Sequence, residues 1–327
     1  MGAERRNGFV SIIIPALNEQ RVIGRCLEAL TRLDLPEDSF EVVVVDNGST
    51  DRTVEIARSF SPALKVTVLP MPRARISALR NAGVSVSHGA VLAFLDADCI
   101  APPHWLEKAT ALLAREGVGV VGSYPRIPED SRWVARAWYG GLEHEKQGNV
   151  SWVGSHNMVI AGSTFSRVGG FDESIQTNED CELCERIRSA GLHVVGSASV
   201  AVLHLGTPQT LVDFYRKIRW QATDGLHVFL RSLPRITNPR PLLFGVYTLI
   251  CLAGAAVGGA MAAWSGELWP LACFLGALLV PALLLSLRIA VRRRNLAIVG
   301  PLTILHLAYG LARGHALLRA PGHVRRS

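Results

Sequence analysis

Leu242 to Trp264 is 23 residues without a charged side chain, and after Ser265, Gly266 and Glu267 a second uncharged run, Leu268 to Leu287, adds 20 more. A helix needs about 20 apolar residues to cross the hydrocarbon core, where no water is present to hydrogen-bond an irregular backbone. Each run meets that length, so the last third of the chain is expected to cross a membrane as a helical hairpin. Trp264 and Trp269 bracket the short turn, where indoles favour the membrane–water boundary. Gly254 and Gly258 stand four residues apart in the first run, a spacing that lets two helices approach closely.

A third apolar segment, Leu296 to Ala312, is shorter and contains Pro301 and His306; spanning, re-entrant and interfacial placements are all open to it. Arg231, Arg235 and Arg240 precede the first run, while Arg288, Arg292, Arg293 and Arg294 follow the second. The positive-inside rule then places everything before the hairpin in the cytoplasm. Arg313, Arg319, Arg325 and Arg326 in the tail favour the same side, which conflicts with three full crossings.

The formal net charge of +7 is unevenly placed: Gly225 to Ser327 holds eleven arginines and one acid, leaving the first 224 residues at −3. These basic residues read as membrane flanks, and nucleic acid is not an expected partner. Arginine outnumbers lysine 30 to 4, the mark of a GC-rich bacterial genome, and the expected location is the bacterial inner membrane. Six scattered cysteines suggest no disulfide framework, and Cys181 and Cys184 read as helical neighbours rather than zinc ligands. The opening stretch "MGAERRNGFVSIIIPALNE" has an apolar run of only about six residues, short of the ~7–15 of a signal peptide, so a first strand is expected there.

From that strand onward, continuous apolar runs alternate with helical patterns: "FVSIIIPA", Arg21 to Leu33, "FEVVVVDNGS", Thr53 to Phe60, "KVTVLP", Ile76 to Ser87, "AVLAFLDAD". Apolar strands separated by helices indicate a parallel sheet covered on both faces, with ligands at the carboxyl ends of the strands. Asp46 ends the second strand; a turn with Ser49 or Thr50 as a helix N-cap is the plain reading of that stretch. Asp96 and Asp98 stand two apart at the end of another strand and so point to one side. Either a divalent cation relieves their repulsion, or one of them caps the helix around His104 to Ala114.

"GGFDESIQTNEDCELCERIRSAG" places Glu179 and Asp180 in a first helical turn, where acids also serve the helix dipole. In "TLVDFYRKIRWQATDGLHVFLRSL", Leu211, Phe214, Ile218, Ala222, Leu226 and Phe229 share a face, as in an amphipathic interfacial helix. Arg216 and Arg219 are also placed to face an anionic leaving group.

Taken together, "SIIIPALNE", "VVVVDNGSTD", "RNAG", "LDAD", "GGFDE" with "NED", and "RKIRW" resemble, in that order, the motifs of inverting glycosyltransferases of family 2 across residues 8 to 222. The resemblance implies a GT-A fold, an α/β Rossmann-like mixed sheet, in a cytoplasmic catalytic domain over 1–208. The amphipathic region over 209–240 and transmembrane helices over 241–320 would follow. It implies that Pro15, Leu17, Glu19 and Asp46 hold the base and ribose of a nucleotide sugar, most simply a UDP-sugar. Arg80 and Asn81 would lie near the diphosphate, and Arg216, Arg219 and Trp220 would close over the donor. Asp96 and Asp98 would hold Mg²⁺ or Mn²⁺; His204 is either a further ligand or a plain strand-end histidine. Asp180 would be the general base, with Glu179 orienting the acceptor.

Three features depart from the family pattern. Arg75 replaces a common glycine, Asn178 stands before Glu-Asp where a small residue is frequent, and "VGSHNM" replaces the usual Phe-Cys-Gly-Ser type of segment. The small membrane part argues against secretion of a polymer, so a lipid-linked or envelope glycan acceptor is expected. A polyprenyl-phosphate sugar synthase is the nearest alternative. A nucleotidyltransferase lacks its glycine-rich basic loop here, the uncharged spans argue against a transporter, and the carboxylates argue against a silent nucleotide-sugar-binding scaffold.

Overall fold

The computed structural model describes residues 5–145, 147–223 and 240–318. Leu226, Phe229, Arg231, Arg235, Arg319, Arg325 and Arg326 lie outside the described residues. The chain forms two compact units, one over residues 1–129 and 141–207, the other over 130–140 and 208–327.

The first unit opens with β1 (Arg6–Ala16), α1 (Ile23–Leu30), β2 (Phe40–Asp46), α2 (Thr53–Ser59), β3 (Val66–Pro70), α3 (Ile76–Ser85), β4 (Gly89–Leu95), β5 (Cys99–Ile100), α4 (Trp105–Leu113) and β6 (Val118–Gly122). After α5 (Trp133–Tyr139), which belongs to the second unit, come α6 (Leu142–Glu145), β7 (Gly148–Asn149), β8 (Asn157–Ala161), α7 (Gly162–Arg167), α8 (Glu179–Ser189), β9 (His193–Gly196) and β10 (Leu203–His204). One eight-stranded sheet runs β3-β2-β1-β4-β8-β6-β9-β7, and β5 pairs with β10 in a small ribbon. The strands are parallel except β8, antiparallel to β4 and β6, and β7, antiparallel to β9. The sheet is therefore mixed, as the family resemblance implies, and not the wholly parallel one suggested by the alternation in the first hundred residues.

Alternate side chains of each strand enter opposite faces, which explains the unbroken apolar runs. Ile12, Ile14, Val42, Val44, Ala93 and Leu95 pack under α1 and α4, while Ile13, Val43, Val45, Leu92 and Phe94 pack against α3, α7 and α8. Pairing of β1 with β4 ends at Ile13–Phe94, two residues before Pro15, so the missing proline N–H falls where that ladder has stopped. Helix α3 rests closely on the sheet because Gly83 has no side chain: a Cβ there would lie 2.5 Å from Ile13 Cγ2 and 3.0 Å from Val45 Cγ2.

The second unit contains α5, α9 (Leu211–Gln221), α10 (Arg240–Ser265), α11 (Trp269–Arg292) and α12 (Val299–Leu318). Thr210 caps α9 by accepting the Asp213 N–H at 3.2 Å, and the helix buries Phe214, Ile218 and Ala222 as its periodicity requires, leaving Leu211 more exposed. Among the described residues, three segments are long and apolar enough to cross a membrane: Arg240–Ser265, Trp269–Arg292 and Leu296–Leu318. Helices α10 and α11 form the expected hairpin. A Cβ on Gly254 would collide with the Phe274 ring and one on Gly258 with the Leu271 backbone, so this glycine pair sets their close approach. Trp138 of α5 packs against Phe214 of α9 and His306 and Tyr309 of α12, at ring separations of 4.9, 5.4 and 5.5 Å.

Replacing Gly83 by valine is expected to destabilise the first unit by about 1–3 kcal/mol, the usual cost of overpacking a closed core. Denaturant unfolding of the purified protein measures it, with Gly24→Ala, whose Cβ would meet only Ile56 Cγ2 at 3.5 Å, as the comparison.

Candidate active site

The strand ends of β1, β2 and β4 bring their loops together on one edge of the sheet. The first two loops are laced by local hydrogen bonds: Asn18 N–H donates to Ser49 Oγ and Thr50 N–H to Asn18 Oδ1, both at 2.9 Å, and Glu19 N–H donates to Thr53 Oγ1 at 2.7 Å. Asp46 is buried and accepts the N–H groups of Gly48 and Ser49 at 3.1 and 3.2 Å, so its carboxylate builds its own turn. The cap of α2 is neither Ser49 nor Thr50; Asp51 Oδ1 accepts the Thr53 N–H at 2.9 Å. Pro15 is buried in β1, Leu17 beyond it is 47% exposed, and Glu19 is half-buried.

Asp96 and Asp98 leave β4 at this edge. Neither caps α4, whose N-cap is His104 and carries no side-chain bond. The β5–β10 ribbon pairs Cys99 with His204 and so carries the histidine to Asp98, with Nε2 at 3.7 Å from Asp98 Oδ1. Leu205 N–H donates to the Asp98 carbonyl at 2.9 Å, and Gly206 stands so close to the Asp98 carboxylate that a Cβ there would force that side chain to move.

Ligand atoms of Asp98, Cys99 and His204 all lie within 4.8 Å of one another, the one such group among the described residues. Burial, with Asp96 and Asp98 nearby, pushes the Cys99 thiol up, so it stays protonated and Asp98 and His204 remain the natural donors. Burial, then Asp98, Asp96 and Asp51, raise the Glu19 carboxyl to about 7. Such crowding of carboxylates fits a divalent cation held mainly through oxygen, the donor that suits Mg²⁺ or Mn²⁺, with the His204 imidazole alongside.

Behind this edge lies Arg80, 2% exposed on α3. Its Nη2 donates to Asp96 Oδ1 at 2.9 Å and its Nη1 to Glu179 Oε1 at 2.7 Å. Both ends of the Arg80 fork are thus taken by carboxylates of the protein. Burial alone would raise the Asp96 carboxyl, but Arg80, with His156 and His204, outweighs it and holds Asp96 below the ordinary range. Asn81 is likewise consumed, exchanging bonds with the Phe171 backbone at 2.9 and 3.0 Å and donating to Glu173 at 2.8 Å. Arg75 donates to the Glu173 and Ser174 carbonyls at 3.2 and 2.7 Å, so this departure from the family glycine secures the same loop.

That loop delivers α8. Asn178 precedes it at φ +66°, a left-handed conformation that asparagine tolerates better than most residues, which accounts for the small residue favoured at this position. Glu179, buried, also accepts the Ser155 hydroxyl at 3.1 Å; Asp180 accepts the Ser155 N–H at 3.3 Å and the Cys181 N–H at 2.8 Å. Burial and then Glu179 raise the Asp180 carboxyl to about 7, against the opposing pull of the Cys181 N–H, Arg80 and the Ser155 N–H. Cys181 and Cys184 are free thiols on α8, as the helical reading of their spacing requires.

Two residues of this site carry no signal in the sequence pattern. Ser155 fastens both acids of α8, and His156 sets its ring 5.5 Å from that of His204 while its carbonyl accepts the Asp96 N–H at 3.4 Å. Both come from the atypical "VGSHNM" stretch, whose polar residues read as an ordinary loop. Arg216 and Trp220 are exposed on α9 and Arg219 is half-buried; all three belong to the second unit.

Comparison with known proteins agrees with this chemistry. The chain matches the family model described as Glycosyl transferase family 2 over residues 11–169, and that described as Glycosyl transferase family group 2 over residues 91–287. Glycosyltransferase AglE of Haloferax volcanii is 32% identical over 207 residues, which cover 61% of this chain and 68% of that protein. Validoxylamine A glucosyltransferase of Streptomyces hygroscopicus subsp. limoneus is 28% identical over 58% of this chain, a match spanning half of that relative's length. Among solved structures, mannosyltransferase PcManGT of Pyrobaculum calidifontis, in complex with GDP-Man and Mn²⁺, gives a TM-score of 0.62 at 21% identity, covering 96% of this chain and 89% of that one. TarS 1-349 of S. aureus in complex with UDP-GlcNAc gives 0.53 at 16% identity, covering 88% and 92%. At such identities these two establish the fold, GT-A. The sequence matches carry the rest: this chain is a glycosyltransferase and belongs to family 2.

Proposed function

We propose that the protein transfers a sugar, with inversion, from a nucleoside-diphosphate donor to a lipid-linked or envelope glycan acceptor at a membrane face. The observation that carries this reading is the pairing of two carboxylate groups through one buried cation: Asp96 on the donor side and Glu179, next to Asp180, on the acceptor side, both held by Arg80. Support for a nucleotide-sugar donor also comes from the solved neighbours, which carry GDP-Man in one case and UDP-GlcNAc in the other.

In this reading the loops around Leu17 and Glu19 receive the nucleotide, and Asp98, with Asp96 and His204, holds a divalent cation. That cation supplies positive charge to the departing diphosphate. Asp180 accepts the proton of the acceptor hydroxyl as its oxygen forms a bond to the anomeric carbon. The bond from that carbon to the diphosphate oxygen breaks on the opposite side, so a single displacement inverts the configuration. Ser155 fixes the direction of the base, and Glu179 beside it raises the affinity of Asp180 for the proton. A carboxyl raised to about 7 is matched to that task near neutral pH. Arg216, Arg219 and Trp220 are assigned to the donor's closure on the strength of their motif. The alternative with a polyprenyl-phosphate acceptor needs no base, because the phosphate oxygen attacks already ionised.

Asp180→Asn is expected to lower turnover by about 10²–10⁴-fold while binding of UDP or GDP is kept. Asp98→Asn is expected to lose metal-dependent nucleotide binding in calorimetry, and the tighter of the two nucleotides identifies the donor base. Full activity in Asp180→Asn protein would instead favour the phosphate acceptor. In wild type, kcat/KM should rise as pH passes upward through about 7 and then level, since the base works only deprotonated; stopped assays of nucleoside diphosphate release follow this. Arg80→Met strands two carboxylates in the interior and should cost about 3–5 kcal/mol of stability, read by denaturant unfolding. Arg80→Lys should restore most of that stability and little of the turnover, because an ammonium cannot span both partners as a fork does.

A further inference from the structure

We infer that α12 does not cross the membrane: it lies along the bilayer surface on the side where α10 enters, so that α10 and α11 alone span. The inference rests on the membrane reading of the hairpin. It stands on where along the hairpin α12 makes its contacts.

Helix α10 starts at Arg240 and α11 ends at Arg292, so these two ends share one side of the hairpin, and the turn after Ser265 marks the other. Gly258 against Pro270 and Leu271 shows the two helices joined near that far turn. A third span beginning at Val299 would descend alongside them, and Leu317, eighteen residues on, would lie about 27 Å deep, near the turn. Instead a Cβ on Gly245, about 8 Å from the start of α10, would meet Leu317 and Arg313 at 3.2 Å. Gly314 lies against Leu249 and the Gly245 carbonyl, and Gly310 against Thr248 and Phe244. Over seven residues of α12 the contact does not advance along α10 at all.

The contact with α11 is equally shallow. Ser286 Oγ and His306 Nδ1 share a hydrogen bond at 2.8 Å, and Ser286 is six residues from the end of α11. His306 is seven residues from the start of α12, so either placement allows this contact; the contacts of Gly310, Arg313, Gly314 and Leu317 with the start of α10 are what keep the far end of α12 at that level.

Its remaining faces suit an interface. Ile304, Leu311 and Leu318 are 48%, 39% and 71% exposed, and residues seven apart drift by only about 20° per step, so they form one narrow apolar stripe. Leu302, Leu305, Ala308 and Ala312, on another face, are covered by α5 and α9 through Val134, Ala137, Phe214 and Ile218. The outer surfaces of those two helices expose Arg132, Arg136, Asp213 and Arg216, side chains that belong in water or among headgroups. A helix with acyl chains on one side and this charged layer on another lies at the boundary between them. The placement also seats Arg313, whose guanidinium stacks 4.9 Å from the Tyr309 ring, outside the hydrocarbon, and it removes the charge conflict of three crossings.

Nitroxide depth measurement on the full chain in phospholipid vesicles tests this. Labels are placed at Ile304→Cys, Leu311→Cys and Leu318→Cys, with Ile250→Cys and Val257→Cys on α10 as spanning controls and the exposed Cys273 changed to serine. All five labelled positions are outward-facing, so the labels displace no packing. The three α12 labels should agree in depth within about 5 Å, in the shallow zone an interfacial helix occupies. A steady descent of about 1.5 Å per residue from 304 to 318, with the controls immersed, overturns the inference and leaves membrane anchoring intact. Water-exposed controls would overturn the anchoring itself. As a second readout, an impermeant maleimide should reach Ser265→Cys and Leu318→Cys from opposite sides of the membrane; reaction of both from one side also overturns the inference.

Discussion

Arg80 is the group on which the first unit's chemistry depends. A guanidinium with 2% exposure is tolerable only if its charge is met, and Asp96 and Glu179 meet it from elements far apart in the chain. Each of those acids is in turn tolerable in its place only because of Arg80. One cation therefore fixes the distance between the strand-end carboxylates and the first turn of α8. Ser155 completes the arrangement by joining Glu179 to Asp180, so Asp180 is tied to Arg80 through groups between them.

Around that pairing the fold places opposite electrostatic demands side by side. On the strand-end side, Glu19, Asp96 and Asp98 crowd together: Arg80 meets the charge of Asp96, and burial, helped by Asp98 and Asp96, raises Glu19 to about 7. On the helix side, burial and then the adjacent Glu179 raise the affinity of Asp180 for a proton. Environment, not residue type, separates the roles of these carboxylates.

Local chemistry was readable from the chain alone. The strand ends carrying Asp46, Asp96 and Asp98, the hairpin of Gly254 and Gly258, and the buried face of α9 each follow from spacing within a short segment. What escaped that reading depends on distant partners. That Arg80 meets Glu179 and Asn81 meets Phe171 is decided by a segment ninety and more residues further on. Ser155 and His156 look like loop residues until α8 and β10 arrive. Helix α5 shows no sign in its own sequence that Trp138 packs with residues seventy and more positions later, and β8 runs opposite to its neighbours for reasons of topology that periodicity does not encode.

The β5–β10 ribbon gives the site an order of assembly. His204 reaches Asp98 only when the chain comes back from beyond β9, more than a hundred residues after the carboxylate was made. During synthesis the strand-end acids exist first, with neither the imidazole nor the α8 acids in place. The group of Asp98, Cys99 and His204 is therefore one that only a chain made through β10 can form.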